Sequence, residues 1–447
     1  WQRLLDLTDD EKPKPKATLH NIALIVANDP RLAGVIGYNE FRQDISQMRE
    51  PARISRKRER PKPVKQLEGP LWALADPING DSFTDSHDNQ IRDVLEAPTT
   101  QEGHGIKVSD RDLKAAIDKT ARMNPYHPLR YLLNRFADEW DGQQRAERLF
   151  IKYLRCPDTP YYRSAARLML LGAVVRAFEP GHKFDFVVIL EGAQGKRKST
   201  FIEVLGLHWK GDLSADFHNT KDMVESMQGV WIAEIPELQG FSRADVTQLK
   251  AFLTKLADRV RLAYERRARD FPRQCIFIGS TNDKSYLRDS TGGRRFWPIE
   301  VGIEGDIDTD GLKAEIGQIW GEVVHMYREM RKAQPFGTLP LYLADDDARR
   351  EAEELQESRR VEAPEDQWRG EIEEWLNKPI GAEFDDLDGG QKPRYRNQVC
   401  IKQIWVEMAG RDTSSLTRQD SNIIGAALER IPGWKKVGTR KFKDYGS

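Results

Sequence analysis

Phe186-Val187-Val188-Ile189-Leu190 is a short apolar run rich in β-branched residues. It has three counterparts, at Val230-Trp231-Ile232-Ala233, Cys275-Ile276-Phe277-Ile278 and Phe296 to Val301. A strand with one wet face alternates polar and apolar residues. These runs do not alternate, so both faces must be covered, which points to a buried, mostly parallel sheet flanked by helices. The helical spacing between the runs agrees, and the fold class is α/β. Val246, Leu249, Phe252, Leu253 and Leu256 form one face of a helix opened by Ser242 and Asp245.

The remainder of the 447 residues is arranged around this core. Five regions are expected. Residues 1–110 read as mostly helical, with a proline-punctuated basic linker at 51–65 that suits either phosphate contact or solvent. Residues 111–180 form a helical collar. There a helix begins at Ser109, three residues before Asp112, and stops at Asn124-Pro125; more helix runs through Trp140-Asp141-Gly142 to Tyr153, and 162–177 is a buried helix. Residues 181–310 are the core, 311–364 a charged helical extension and 365–447 a small C-terminal module. In that module Ile401, Ile404, Trp405 and Met408 lie on one helix face, and Ile424, Ala427, Leu428 and Ile431 on another. A basic tail follows with Lys435, Lys436, Arg440, Lys441 and Lys443. Two helices and a basic hairpin resemble a winged helix; a plain packing module fits the same pattern.

Composition limits the function. Seventy Lys and Arg against 71 Asp and Glu leave a net charge of -1, so nucleic-acid contact must come from local patches. Leu168 to Val175 is the longest apolar run, far short of the roughly 18 residues of a membrane span. The three cysteines are far apart, which suits a cytoplasmic protein without disulfides. The eight histidines are scattered, so no protein-built metal site is expected. No signal peptide opens the chain. It begins at Trp1 and reads as part of a longer polypeptide.

The sharpest motif follows the first core strand: Gly192-Ala193-Gln194-Gly195-Lys196-Arg197-Lys198-Ser199-Thr200, leading into Phe201 to Leu205 and Gly206. Strand, glycine turn, Lys-Ser and helix are the parts of a P-loop, in which backbone N–H groups and the helix N-terminus wrap phosphates. Residues Gly192 and Gln194 to Thr200 are therefore candidate ATP-binding positions. Lys198 would reach the β- and γ-phosphates and Ser199 would hold Mg²⁺. The pattern normally has glycine before the lysine, and Arg197 stands there. That position begins the helix, and the expectation is that it need not adopt positive φ. A dinucleotide fold is disfavoured, because the G-x-G-x-x-G spacing is lacking.

A P-loop needs a second strand ending in acid. Ile232-Ala233-Glu234 supplies it, with Glu237 close behind. Glu234 is assigned to the Mg²⁺ side and Glu237 to the attacking water, a pair of roles that spacing alone leaves reversible. Asn282, at the end of the third core run, is a candidate γ-phosphate sensor of the kind many ring ATPases place on the strand between the P-loop and acidic strands. Arg294 and Arg295, after Gly292-Gly293, are candidate arginine fingers toward a neighbouring subunit. Asp258 to Arg273 holds six arginines and reads as a basic β-hairpin. Arg259, Arg261, Tyr264, Arg266, Arg267 and Arg269, together with Lys250, are candidates for gripping single-stranded DNA by phosphate contact and stacking.

The ordered set of motifs resembles the virulence-associated E family of phage, plasmid and genomic-island ATPases related to superfamily 3 helicases. It includes Tyr38-Asn39-Glu40-Phe41, Asn124-Pro125-Tyr126-His127-Pro128, Trp140-Asp141-Gly142, Leu190 to Gly195, Lys221-Asp222, Trp231 to Leu238, Leu249 to Leu253, Asp258-Arg259, Pro272 to Cys275, Thr281-Asn282 and Thr291 to Pro298. The resemblance implies an AAA+-like core, a homo-oligomeric ring expected to be hexameric, and unwinding of single-stranded or forked DNA in mobile-element replication. It also implies a primase-like domain as a candidate for an N-terminal part. By the same resemblance Lys198 and Ser199 take the Walker A roles, Glu234 and Glu237 the Walker B roles, Asn282 the sensor role and Arg294 or Arg295 the finger role. The expected function is an ATP-dependent DNA helicase. The alternatives are a DNA-binding initiator or scaffold with a silent ATP site, motivated by Arg197, and an ATPase switch that does not unwind.

Overall fold

The computed structural model describes residues 1–11, 13–48, 81–213, 220–238, 243–261, 267–284, 286, 293–360, 364–380, 394–438, 442 and 445. The chain divides into two units. The larger comprises Trp1–Lys284 with Arg294–Gln356, and the smaller Ser285–Gly293 with Glu357–Ser447.

The larger unit opens with a small mixed sheet. β1 (Ile36–Asn39) and β2 (Asp44–Gln47) form an antiparallel hairpin, extended by β3 (Asp81–Ser82) beside β2 and by β4 (Pro125–Tyr126) parallel to β1. The expectation of mostly helix is corrected here. Helices do flank the sheet at Leu19–Asn28, Asp85–Glu96 and Asp110–Arg122, but residues 36–47 form a strand hairpin. The hairpin turn is held by Asn39, whose Oδ1 accepts from the backbone N–H groups of Phe41 and Arg42, each at 3.0 Å. Helix Asp110–Arg122 begins as expected, with Ser109 Oγ accepting from Asp112 N at 3.1 Å. The helical stretch expected through residue 153 is broken: it ends at Asp138 and resumes at Ala146.

The main sheet has five strands: β5 (Val187–Glu191), β6 (Lys210–Asp212), β7 (Ile232–Ile235), β10 (Ile276–Thr281) and β11 (Phe296–Glu300). Between β7 and β10 the chain forms a separate antiparallel pair, β8 (Ala257–Val260) and β9 (Arg269–Pro272). The order is β11-β5-β10-β7-β6, and all four pairings are parallel. Four of the strands match the four apolar runs. β6 has no apolar run and lies at an edge.

Both faces of the sheet are covered, as the runs require. Helix Pro160–Phe178 is buried along most of its length. Trp231 donates its indole N–H to Ala173 O at 2.9 Å and packs at 4.3 Å on Trp320 of helix Thr309–Ala333. Val188, Leu190, Ile276, Ile278, Trp297 and Ile299 share this core. On the other parity of the strands, Phe277 meets Phe252 of helix Arg243–Thr254, with ring centroids 5.3 Å apart. Val246, Leu249, Phe252 and Leu253 are buried on that helix, whereas Leu256 is 46% exposed.

The smaller unit packs helix Pro364–Leu376, a short helix at Ile401–Gln403 continuing as a π-turn Ile404–Met408, and helix Arg418–Glu429. Its core is Ile372, Trp375, Leu376, Ile404, Trp405, Ile424, Ala427 and Ile431. Among the described residues after Gly433 there is no strand beyond a single bridge position at Phe442. Among the described residues no helix is long and apolar enough to cross a membrane.

Candidate functional site

The site grows from the C-terminal ends of three adjacent strands. β5 ends at Glu191, and the chain turns through Gly192–Arg197 into helix Lys198–Gly206. Gly195 has φ +84, a left-handed conformation that glycine adopts without strain. Gly192 is demanded by packing, since a Cβ there would stand 2.9 Å from Val301 Cγ2. The expectation for Arg197 is corrected: it sits at φ +57, ψ +29, left-handed, as the helix N-cap. The turn requires that conformation just before the helix, which explains why glycine is the usual residue at this place. Arg197 occupies it with an exposed side chain.

Lys198 is 8% exposed. Its ammonium folds back to donate to the carbonyls of Gly192 and Ala193 (3.1 Å for the latter) and to Asn282 Oδ1 at 2.9 Å. Burial lowers its pKa from the usual lysine value, and the charge of Glu234 opposes that shift. Ser199 Oγ donates to Glu234 Oε1 at 2.8 Å, and Ser280 Oγ donates to the same oxygen at 3.0 Å. The other carboxylate oxygen, Oε2, pairs with Lys210 Nζ at 3.0 Å. Glu234 is 2% exposed, so this buried charge is compensated on both oxygens.

The structure thus brings together Lys198, Ser199, Glu234 and Asn282 from β5, β7 and β10, with β10 lying between the other two. Parallel register sets the geometry: Glu191 and Thr281, the last residues of β5 and β10, lie opposite each other, while β7 ends two residues earlier, at Ile235 opposite Gly279. The site offers an amine, a hydroxyl, a carboxylate and the N-terminus of a helix, a set that suits a polyphosphate with Mg²⁺. Two residues of the cluster, Lys210 and Ser280, were not expected. Ser280 lies inside the segment that drew attention to Asn282. Lys210 lies on β6, which carries no apolar signal.

The other candidates take different places. Gln194 and Thr200 are exposed; Lys196 pairs with Asp306 at 3.2 Å. Glu237 is exposed just past β7, at φ +52. Arg295 is ion-paired with Asp185 at 3.5 Å, while Arg294 is exposed.

The basic hairpin is β8 paired with β9, with Arg259 opposite Asp270. Its base is fixed by Arg273, whose Nε donates to Asp258 Oδ2 at 2.9 Å, both side chains being 1% exposed, and whose guanidinium lies 4.0 Å above the Phe252 ring. Arg259, Arg261 and Arg267 are exposed. Arg269 is half-buried, 4.5 Å over Phe271 and 3.4 Å from the Tyr38 hydroxyl. Tyr264 and Arg266 lie outside the described residues. Lys250 departs from its expected place on the DNA-binding surface: it is 8% exposed, with its ammonium 5.9 Å from the Phe296 ring centroid.

No curated protein matches the chain. Solved structures similar to it include the apo structure of the NrS-1 C terminal region (305-718), at 12% identity over 66% of this chain and 68% of that one, with a TM-score of 0.35. The A form apo structure of the same region matches at 12% identity, covering 64% of each chain, with a TM-score of 0.34. The family profile described as the virulence-associated protein E-like domain matches residues 133–361, a stretch that contains the whole five-stranded sheet and the cluster around Glu234. On that match the chain belongs to the virulence-associated protein E-like family.

Proposed function

We propose that the chain is a P-loop ATPase with an AAA+-like core, acting as a DNA helicase in the replication of a mobile genetic element. One observation carries the reading: Lys198 and its neighbour Ser199 reach Asn282 and Glu234, both remote in sequence, through contacts of 2.9 and 2.8 Å at the C-terminal ends of β5, β7 and β10. A chance glycine turn would not bring a lysine to a polar amide and a serine to a buried acid on two neighbouring strands.

In this reading ATP phosphates take the place of the Gly192 and Ala193 carbonyls as partners of Lys198. Helix Lys198–Gly206 presents its first N–H groups to the same phosphates. Ser199 and Glu234 are the residues that would hold Mg²⁺, whose charge offsets that of the phosphates when bound. Asn282 holds Lys198 in line and senses the γ-phosphate. Glu234 is engaged on both oxygens, so the water-orienting role falls to exposed Glu237. Arg295 is engaged by Asp185, so Arg294 is the residue offered to a neighbouring subunit of a ring. Arg259, Arg261 and Arg267 give the hairpin a basic face for a DNA strand. The smaller unit is a candidate winged-helix-like DNA contact.

The test is steady-state ATP hydrolysis with and without single-stranded DNA, on this chain and on Lys198→Ala, followed by strand displacement. Turnover that DNA stimulates, and that Lys198→Ala lowers by about 100-fold or more, is the expected result. Absence of turnover in a folded sample would refute the motor and favour a DNA-binding scaffold, with Arg197 as the cause.

A further inference from the structure

Glu234 is held from two sides by different chemistry. Oε1 receives two hydroxyls, from Ser199 and Ser280. Oε2 receives a full positive charge, Lys210 Nζ at 3.0 Å. Lys210 is no passing surface lysine, for its side chain is 18% exposed and it comes from the strand hydrogen-bonded to β7. It has a second carboxylate partner, Asp212, two residues along its own strand and 68% exposed. The β6–β7 register sets Asp212 directly opposite Glu234. The ammonium is therefore shared between a buried acid in the site and an exposed acid at its rim.

We propose that Lys210 is a positioning residue that sets how strongly Glu234 attracts a divalent cation, with Asp212 as the alternative seat to which the ammonium swings when the cation arrives. This rests on the P-loop reading and deepens it. Lys210 opposes the ion in two ways. Its charge repels a second cation at the same carboxylate, and it already compensates the buried Glu234, so the ion gains less by doing so. Asp212 lowers the cost of displacement, because the lysine stays paired in both positions. The arrangement couples cation entry to a rotation of one side chain at the sheet edge.

The test uses the full chain and a fluorescent ADP analogue, titrated with Mg²⁺ at fixed nucleotide. Lys210→Met keeps the length of the side chain and removes its charge. The Mg²⁺ concentration at half-maximal binding should fall about fivefold, the order expected for one unit charge removed from a partly solvated cleft. Lys210→Arg should restore the wild-type midpoint. Asp212→Asn removes the second seat and should raise the midpoint by about threefold. The rise in melting temperature on adding Mg²⁺ and ADP should be larger in Lys210→Met than in wild type, since the ion then compensates an otherwise unpaired buried acid.

An unchanged or higher midpoint in folded Lys210→Met overturns the proposal. If that variant does not fold, an unchanged midpoint in Asp212→Asn overturns it instead. Nucleotide binding that Lys198→Ala abolishes but that neither Lys210→Met nor Asp212→Asn shifts refutes only the role of Lys210. Failure of wild type to bind the nucleotide at any Mg²⁺ concentration refutes the P-loop reading and this proposal with it.

Discussion

Arg197 occupies a backbone conformation that suits glycine, at φ +57 immediately before the helix that carries Lys198. A side chain there costs roughly 1–2 kcal/mol relative to a relaxed conformation, while glycine brings back about 0.5–1 kcal/mol of chain entropy. Arg197→Gly should therefore raise stability by about 0.5–1 kcal/mol, read as a shift of the urea midpoint at constant slope. A loss of stability would show that the arginine side chain is itself held in place. The same residue marks the limit of what could be read from sequence. Lys198, Ser199, Glu234 and Asn282 were legible because their chemistry is tied to strand ends and a glycine turn. Lys210 was not, because nothing in Trp209-Lys210-Gly211-Asp212 announces a strand; only pairing with β7 makes it one. Lys250, expected with the hairpin arginines to meet DNA, is instead buried toward the Phe296 ring on β11.

Among the elements, the four apolar strands could be recognised because burial on both faces leaves an uninterrupted signal. The hairpin of β1 and β2 was hidden because its strands are short, contain Gly37 and bury only part of each side. One imidazole ties that hairpin to the core. His127 caps helix Pro128–Asp138, its Nδ1 accepting from Arg130 N at 3.2 Å, while its Nε2–H donates to Gln274 Oε1 at 2.9 Å. Gln274 in turn donates to Glu40 O at 3.3 Å. Burial is the main force that lowers the His127 pKa to about 4, from 6.5. A proton on Nδ1 would also face a backbone donor. Between those two pH values the unfolded chain takes up the proton that the folded chain refuses. The stabilisation is thus complete above about pH 6.5 and is lost as pH falls toward 4, by up to roughly 3 kcal/mol. Urea midpoints at pH 7 and pH 5 should differ more for wild type than for His127→Asn, which keeps a capping side chain and does not titrate. Equal differences would remove His127 as the cause.

At the scale of the whole molecule, the pairing of Arg295 with Asp185 separates two arginines that are adjacent in sequence. Arg295 braces the start of β11, and in the ring proposed above Arg294 is the arginine offered to a neighbouring subunit. Arg294→Ala should keep nucleotide binding within about twofold and lose about 10³-fold or more in turnover. Mixing it with Lys198→Ala should restore part of the activity, because some interfaces then join an intact lysine to an intact arginine. No recovery on mixing would place both residues in the service of a single subunit. The register that pairs β5, β7 and β10 has a further consequence, for how such a chain can change over evolutionary time. Side chains alternate along a strand, so one residue inserted into β7 would carry Glu234 to the opposite face and bring an isoleucine or alanine to the serines. Substitution can adjust this site, but a change of length inside its strands would dismantle it. Insertions and deletions in relatives that keep the site should therefore fall in the connections between strands.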